Sequence, residues 1–586
     1  MAQQTVQVEA VPRLARLLAR LGAITRAIRN GEKIRPETAY GLAMLIAALL
    51  ARHFWLDEGT PANIVFTVGV TAAIVAVVAL ISRRVLFATA VAGAIVALIF
   101  ATSAAKHRIM NMVVHAYDIF FYLSSPSTIA YLWSDQRRYI IGFLVALAVF
   151  GVLGCILFRA DPSRLPRRWS AVALCAAALV AWAGALAKGE RRHMQFYFEN
   201  LYVSSFYASW GETFETLMRG AILEAAPKRA ASLLAQAGSC HTNGKPPHII
   251  LVHAESVVQP SLFPTVRYDR SLDSYFESDD KALHQLRVET YGGASWLTEF
   301  SILAGVSTHS FGGMRQFVQT FTQNKLKETL PQVLENCGYR NVVFYPMLRN
   351  FVSNDRFYSS IGLKEIYDMK SQSAPTAQER DRFYFDNAIK EIERHIKSSR
   401  KPLFTYVQTM AAHWPYTFKF APEEEVPGGA AGTPPEMDEY LRRLSLTKID
   451  FDHLMAELKK RFPRENFLVV HYGDHHPTAT RTYLGFGDEV EAEDVALTPD
   501  SPGFLTYFAA RGVNYRVPQL PPFDTLDVPY LGTAILEMAG LPLPPSHAER
   551  KRLMQTCKGR YHTCREREQV LQFHRQLIDS GLITAR

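Results

Sequence analysis

The 586-residue sequence has no internal repeat and no long low-complexity run, so neither a repeat array nor a polar, disordered chain is indicated. It lacks a basic motif with interleaved aromatics, which sets nucleic-acid binding aside despite a formal charge of +9. Only six cysteines are present, and they form no soft-ligand cluster of the kind that holds structural zinc. A cleaved signal peptide is not expected either, because the basic start is too long and no A-x-A-like site follows the apolar segments.

What the chain has in excess is apolar sequence, 48% of residues, concentrated before residue 190. Five segments, Thr38 to Trp55, Ala62 to Ser82, Val85 to Ala105, Tyr139 to Phe158 and Trp169 to Ala187, each approach the roughly 20 residues that a helix needs to cross a bilayer. Only the first contains charge, Arg52 beside His53 in its last turn, where the side chains can snorkel to the interface. Lys and Arg crowd the leading arm (Arg13 to Arg35) and the turns after the second and fourth segments (Arg83 with Arg84; Arg159 to Arg168), which makes those faces cytoplasmic. Five crossings then leave everything after Lys188 outside the cytoplasm. Within the arm, Leu14, Leu17, Leu18, Leu21, Ile24 and Ile28 have helical spacing among arginines, as in a helix lying on an anionic leaflet or a plain orientation tag. The loop from Lys106 to Arg138 carries Tyr117, Phe120, Phe121, Tyr122, Tyr131 and Trp133, which suits an interfacial anchor or a lipid-access route.

A mixed linker containing helices, one of them Ala/Leu-rich, leads to a region that alternates strand and helix patterns. Strands are expected at His248 to Ala254, Asn341 to Tyr345, Leu403 to Gln408, Phe467 to His471 and Gly503 to Ala509. Helices are expected at Leu326 to Asn336, Asp386 to Ser398 and Leu441 to Phe462, which argues a mostly parallel, doubly wound sheet. Cys557 and Cys564 are close enough to pair across a short loop outside the cytoplasm, whereas Cys240 and Cys337 either pair or stay free. Cys155 and Cys175 read as small apolar residues in membrane segments.

The chemistry is concentrated at Phe467-Leu-Val-Val-His-Tyr-Gly-Asp-His-His-Pro477, where a buried strand breaks at Gly473 and releases Asp474, His475 and His476 at the carboxyl edge of the sheet. Carboxylate and imidazole donors suit Mn2+, Mg2+ or Zn2+, but two are too few to hold one. Glu255, just past the first strand, reaches the same edge, although alone it could equally be a helix N-terminal residue. Tyr291-Gly-Gly-Ala-Ser-Trp-Leu-Thr-Glu-Phe300 puts Ser295 at a helix N-terminus, as an anion-facing nucleophile or a plain N-cap.

Taken together, Glu255, the Gly-Gly-Ala-Ser-Trp-Leu-Thr-Glu-Phe segment, Phe357-Tyr-Ser-Ser-Ile-Gly362, Met410-Ala-Ala-His-Trp-Pro-Tyr416 and Tyr472-Gly-Asp-His-His-Pro477 occur in an order that resembles the lipoteichoic acid synthase-like phosphoglycerol transferases of the alkaline phosphatase superfamily. The resemblance implies five membrane helices and an extracytoplasmic α/β domain of the alkaline phosphatase type, in the cytoplasmic (inner) membrane of a bacterium. It implies one divalent cation held by Glu255, Asp474, His475 and the hydroxyl of the nucleophile Ser295, where the family usually has threonine. It also implies a phospholipid donor, an envelope glycan or polymer as acceptor, and His413 at the phosphoryl-alcohol part of the substrate. A Trp-Asn-Arg stretch common in the family is replaced by Phe351-Val-Ser-Asn-Asp-Arg356, so its phosphate-binding arginine is out of register; Arg356 or Arg349 is the substitute, or Arg356 pairs with Asp355 or Asp381 on the surface. His476 is a supporting or proton-transfer group at the substrate, or a solvated turn residue. The corresponding divisions are a basic arm (1–37), a five-helix membrane domain (38–187), a helical linker (188–246), the catalytic domain (247–545) and a charged tail (546–586).

Three alternatives stay open. A sulfatase would need a Cys or Ser in a C/S-x-P-x-R context, which is absent. A phosphoethanolamine transferase acting on lipid A or a glycan shares the metal set, but typically carries a Cys-Gly-Thr-like nucleophile context and several disulfides. A catalytically silent lipid-binding regulator would not require so reactive a set of residues.

Overall fold

The computed structural model describes residues 33–584 except 111, 189–200, 220–221, 229–232, 236–237, 243, 485–500 and 519. The amphipathic stretch expected at Val11 to Ile28 lies outside the described residues. The chain forms two compact units, Met1–Ala116 with Leu132–Glu212, and Tyr117–Tyr131 with Thr213–Arg586.

The first unit contains five helices long and apolar enough to cross a membrane, Pro36–Asp57, Pro61–Ser82, Val85–Met110, Arg137–Ala160 and Arg167–Lys188, each somewhat longer than its apolar segment, the second by one residue. The second and fifth are in backbone contact. A Cβ on Gly69 would lie 2.4 Å from the Ala181 nitrogen, and one on Gly184 would lie 2.4 Å from that of Phe66. Reciprocal glycines of this kind replace the hydrophobic effect, which cannot drive helices together in lipid. The buried Glu58 carboxylate accepts from Val203 and Ser204 N–H, both at 2.9 Å, and so caps the helix Tyr202–Arg219.

The second unit is built on an eight-stranded sheet. Its strands are β1 (His248–Ala254), β2 (His284–Arg287), β3 (Arg340–Phe344), β4 (Glu365–Tyr367), β5 (Leu403–Gln408), β6 (Phe467–Gly473), β7 (Leu505–Val513) and β8 (Thr525–Asp527), in the order β4-β3-β5-β1-β6-β7-β2-β8. All run in one direction except β7. β1, β5 and β6 are buried at every position, as central parallel strands covered on both faces must be. The helices Asp381–Ser398 and Pro435–Arg461 share a core with them, through Phe385, Ile389, Tyr440, Leu444 and Phe451 against Val252, Val407 and Val469.

The expected strands are present, β1 and β5 with the expected bounds and β3, β6 and β7 with shifted ends, while β2, β4 and β8 were not anticipated: three or four residues at the sheet margins carry too little apolar pattern to register. The described residues of the Ala/Leu-rich linker stretch, 222–228 and 233–235, are not helical. The aromatic loop between the third and fourth membrane helices is not merely an anchor, because residues 117–131 pack inside the second unit. Phe121 meets Phe317 and Phe321 at 5.7 and 5.9 Å, and Ser125 and Thr128 hydrogen-bond Ser353 at 3.0 and 2.9 Å. The charged C-terminal segment contains the helices Pro545–Thr556 and Arg567–Asp579 and packs into the same unit. Arg550, on the helix Pro545–Thr556, is buried and donates from Nε to the Gly305 carbonyl at 2.8 Å, closing the end of the helix Trp296–Ala304. Both disulfides form, Cys557 with Cys564 as expected and Cys240 with Cys337; Cys155 and Cys175 are free.

Candidate metal centre and nucleophile

The sheet register brings the site together. Ala254 of β1 lies opposite Gly473 of β6, so Glu255 and Asp474 leave the sheet side by side. The turn after β1 passes directly over the end of β6, and a Cβ on Gly473 would sit 1.9 Å from the Val257 carbonyl oxygen. Only glycine fits there. Asp474 Oδ1 accepts from the backbone N–H of Ser256 (2.7 Å) and His475 (2.9 Å), which fixes the carboxylate and turns Oδ2 toward two imidazoles. These are His253 Nε2 at 3.1 Å and His475 Nε2 at 3.3 Å. Glu255 reaches the same point, with Oε1 3.1 Å from His475 Nε2.

The nucleophile candidate arrives on a turn of three left-handed residues, Gly292, Gly293 and Ala294, with φ of 68°, 154° and 61°. Glycine takes the first two without strain, while Ala294 holds its conformation at a cost of about 1–2 kcal/mol. The turn is tied to the loop after β6 through Gly292 N–H and the His476 carbonyl, 2.9 Å. Ser295 then opens the nine-residue helix Trp296–Ala304, yet its hydroxyl caps no backbone N–H. Instead Oγ donates to Glu255 Oε2 at 2.7 Å and lies 3.2 Å from His475 Nε2. Ser295 is half-buried, whereas Glu255, Asp474 and His475 are buried. Thr298, a turn deeper, is fully buried and donates to the Asp474 carbonyl at 2.7 Å, so its hydroxyl is committed to structure.

His253 is the site residue that sequence reasoning missed. It lies within β1, two residues before Glu255 and therefore on the same face of the strand; His-x-Glu at a strand end was the available signal. Ligand atoms of His253, Glu255 and Asp474 lie within 4.8 Å of one another, all buried. His253 Nε2 and Asp474 Oδ2 face each other without a hydrogen bond on either atom. Buried polar atoms in that state, flanked by a second carboxylate and a second imidazole, are what a divalent cation requires. Burial alone would depress the pKa of His253, but Asp474 and Glu255 outweigh it and raise it to about 10. The same opposition raises His475 to about 9. Burial would push the Glu255 carboxyl up, yet His475 and His253, with His413, hold it well below the usual range. The carboxylates thus make this spot a preferred position for positive charge.

Behind His253, Nδ1 meets the hydroxyls of Tyr472 (2.8 Å) and Tyr406 (3.1 Å), which orient the ring and leave Nε2 to face the carboxylates. Gln408 extends the network to Tyr358 at 2.7 Å and to the buried Glu299 at 2.6 Å.

The remaining candidates separate. His413 lies on the loop after β5, close enough for its charge to lower the Glu255 pKa, with Nδ1 2.5 Å from the Trp414 carbonyl. Arg356 is exposed, and pairs with neither Asp355, which accepts from Ser127, nor Asp381, which is buried against Met410 and Ala411 N–H. Arg349 pairs with Asp368 at 3.3 Å. His476 is not a solvated turn residue. It is buried, with Nδ1 on Thr480 (3.2 Å) and Nε2 on the Leu505 carbonyl (2.7 Å), which leaves neither nitrogen for a substrate; burial lowers its pKa to about 4. Arg443, which the sequence did not single out, is fully buried beneath the His413 loop and donates to the His413 (2.6 Å) and Pro415 (2.8 Å) carbonyls.

Residues 247–495 match the family model described as Sulfatase, and the second unit accordingly carries a sulfatase-like α/β domain. An uncharacterized protein of Haemophilus influenzae is 24% identical over 319 residues, 50% of this chain and 54% of that protein; the match spans about half the length of that curated relative. Among solved structures, the phosphoglycerol transferase GacH of Streptococcus pyogenes in complex with sn-glycerol-1-phosphate is 16% identical over 59% of this chain and 88% of that one, with a TM-score of 0.46. The lipooligosaccharide phosphoethanolamine transferase EptA of Neisseria meningitidis is 11% identical over 85% of this chain and 95% of that one, also with a TM-score of 0.46.

Proposed function

We propose that this multi-pass membrane protein with a sulfatase domain is a metal-dependent transferase, which moves phosphoglycerol from phosphatidylglycerol to an envelope glycan or polymer through a phosphoserine at Ser295. The observation that carries the reading is the Ser295 hydroxyl: it opens a helix without capping it and is held instead between Glu255 and His475. A serine so placed has no structural task, and it is the half-buried member of an otherwise buried acidic and imidazole cluster.

The residues divide the work as follows. Glu255, Asp474, His475 and His253, with Ser295 Oγ, would hold one divalent cation (Mn2+, Mg2+ or Zn2+), which supplies Lewis-acid stabilisation of the phosphoryl oxygens and lowers the hydroxyl pKa. Glu255, accepting the Ser295 proton at 2.7 Å, aligns Oγ for attack. The Oγ–phosphorus bond forms as the bond from phosphorus to the diacylglycerol oxygen breaks, and the serine proton ends on the released diacylglycerol hydroxyl. The N-terminus of the helix Trp296–Ala304 faces the developing negative charge. His413 and exposed Arg356 are the candidates for the phosphoryl-alcohol part.

Tyr416 favours a neutral glycerol headgroup over ethanolamine. An ammonium would gain from an aromatic cage, but Tyr416 is buried, donates its hydroxyl to the Ala412 carbonyl at 2.8 Å, and has the Arg443 guanidinium 5.1 Å from its ring centre. Its face is taken. Two disulfides in the catalytic unit suit an oxidising compartment outside the cytoplasm. Headgroup-labelled phosphatidylglycerol and phosphatidylethanolamine, given separately to the purified protein, test the reading. Diacylglycerol should come from the glycerol lipid; release only from the ethanolamine lipid overturns the donor, and release from neither restores the silent regulator.

A further inference from the structure

The loop that follows β5 has a construction that donor chemistry does not require. Gln408 pairs with His253 in the sheet, and Thr409 N–H donates to the His253 carbonyl at 3.0 Å, so residues 409–420 emerge beside the metal centre. Asp381 holds Met410 and Ala411 N–H at 3.2 and 3.0 Å, and Gln378 donates to the His413 carbonyl at 2.7 Å. Arg443 binds the His413, Pro415 and Phe418 carbonyls at 2.6, 2.8 and 3.2 Å, is anchored by Glu439 at 2.7 Å, and lies against the rings of Tyr416, Phe418 and Phe420 at 5.1, 4.9 and 5.2 Å. A guanidinium so completely used fixes the loop as rigidly as a strand. Out of this fixed loop projects Trp414, 56% exposed and adjacent to His413, with Phe418 46% exposed farther on.

A large aromatic side chain held rigid and left in water at the rim of a reaction centre is a surface for something that arrives from solution. Its chemistry can be narrowed. Exposed Thr417 separates Trp414 from Phe418 and exposed Lys419 follows Phe418, so polar side chains break the apolar surface along which an acyl chain would have to lie. A cation is disfavoured by the buried Arg443 charge directly behind the loop. What remains is a neutral ring, apolar on its faces and hydroxylated at its edge, which suits both the indole face and its N–H.

We propose that Trp414 is the platform on which a sugar ring of the acceptor stacks while its hydroxyl is presented to the phosphoserine. This rests on the transferase reading above and assigns a place to its second half. In that step the sugar hydroxyl oxygen bonds to phosphorus, the bond from phosphorus to Ser295 Oγ breaks, and the hydroxyl proton returns to the serine. Water competes for the same intermediate and releases glycerol phosphate.

The test separates the halves. Full-length protein with labelled phosphatidylglycerol is given maltoheptaose, a β-linked gluco-oligosaccharide or chitotetraose, and both diacylglycerol release and the ratio of sugar-bound to free glycerol phosphate are measured. Trp414→Ala should lower that ratio about tenfold, equivalent to about 1.4 kcal/mol of lost stacking, while diacylglycerol release stays within about twofold. Trp414→Phe should recover most of it. An unchanged ratio in Trp414→Ala overturns the platform. So does an equal loss of diacylglycerol release, which would assign Trp414 to the donor or the membrane surface, and so does a wild type that cleaves donor normally but labels none of the three sugars. A wild type that releases no diacylglycerol sinks the transferase reading and the platform with it.

Discussion

The two edges of one sheet carry charge in opposite ways. At the amino edge, where β1, β3 and β6 begin, Lys245 and His248 share Glu465, and Arg340 bridges Glu365 and Glu391. Clefts of about 240 and 410 Å³ open there, lined by Lys397, Lys401, Arg394 and their neighbours. At the carboxyl edge Glu255, Asp474, His253 and His475 are all buried and two of their atoms make no hydrogen bond. Roomy, mutually neutralised and half-exposed charge is ordinary surface; crowded, desolvated and incompletely bonded charge is poised for a ligand.

The sharpest way to break this contrast is at Ser295. Ser295→Ala should reduce turnover by at least about 10⁴-fold, in line with the loss of a covalent nucleophile, without altering the melting temperature, since the hydroxyl caps nothing. A trapped phospho-adduct on Thr298 would refute the assignment. Next come the ligands. Asp474→Asn and Glu255→Gln should each cost about 10²–10³ in kcat/KM, the scale for removing a preorganised electrostatic group, and should lower bound metal in elemental analysis. Chelation should stop the wild type, and Mn2+, Mg2+ or Zn2+ should restore it; active protein free of metal would contradict the centre. A smaller effect is expected one layer back. Tyr472→Phe removes one of the two partners of His253 Nδ1 and should weaken metal affinity about tenfold, read by titration against a fluorescent chelator. The amino edge supplies the control: Glu465→Gln should shift stability by about 1 kcal/mol or less and leave kcat/KM untouched. A large activity loss there would erase the distinction between the edges.

What the sequence made legible was written locally. The membrane helices are uninterrupted apolar runs, β1, β5 and β6 are short ones, and Glu255, Ser295 and Asp474 sit where such patterns break. What stayed hidden depends on direction rather than identity. His253 read as one polar letter in an apolar strand, although strand periodicity aims it where Glu255 points. His475 and His476 are adjacent in sequence, but one ring faces the carboxylates and the other turns to the Leu505 carbonyl. Arg443 and Arg550 were not singled out, because sequence alone does not show that a guanidinium is buried where backbone carbonyls take up its donors.

Arg550 also bears on how the protein is made. Its guanidinium ends the Ser295 helix, and a Cβ on Gly305 would lie 2.4 Å from the guanidinium carbon, so the two were shaped together. Residues 305 and 550 are far apart in order of synthesis, and at about 5–20 residues per second the ribosome needs many seconds to pass from one to the other. Throughout that interval the helix that Ser295 opens lacks the guanidinium that closes it, and a chain cut short before Arg550 would leave the Gly305 carbonyl without that donor.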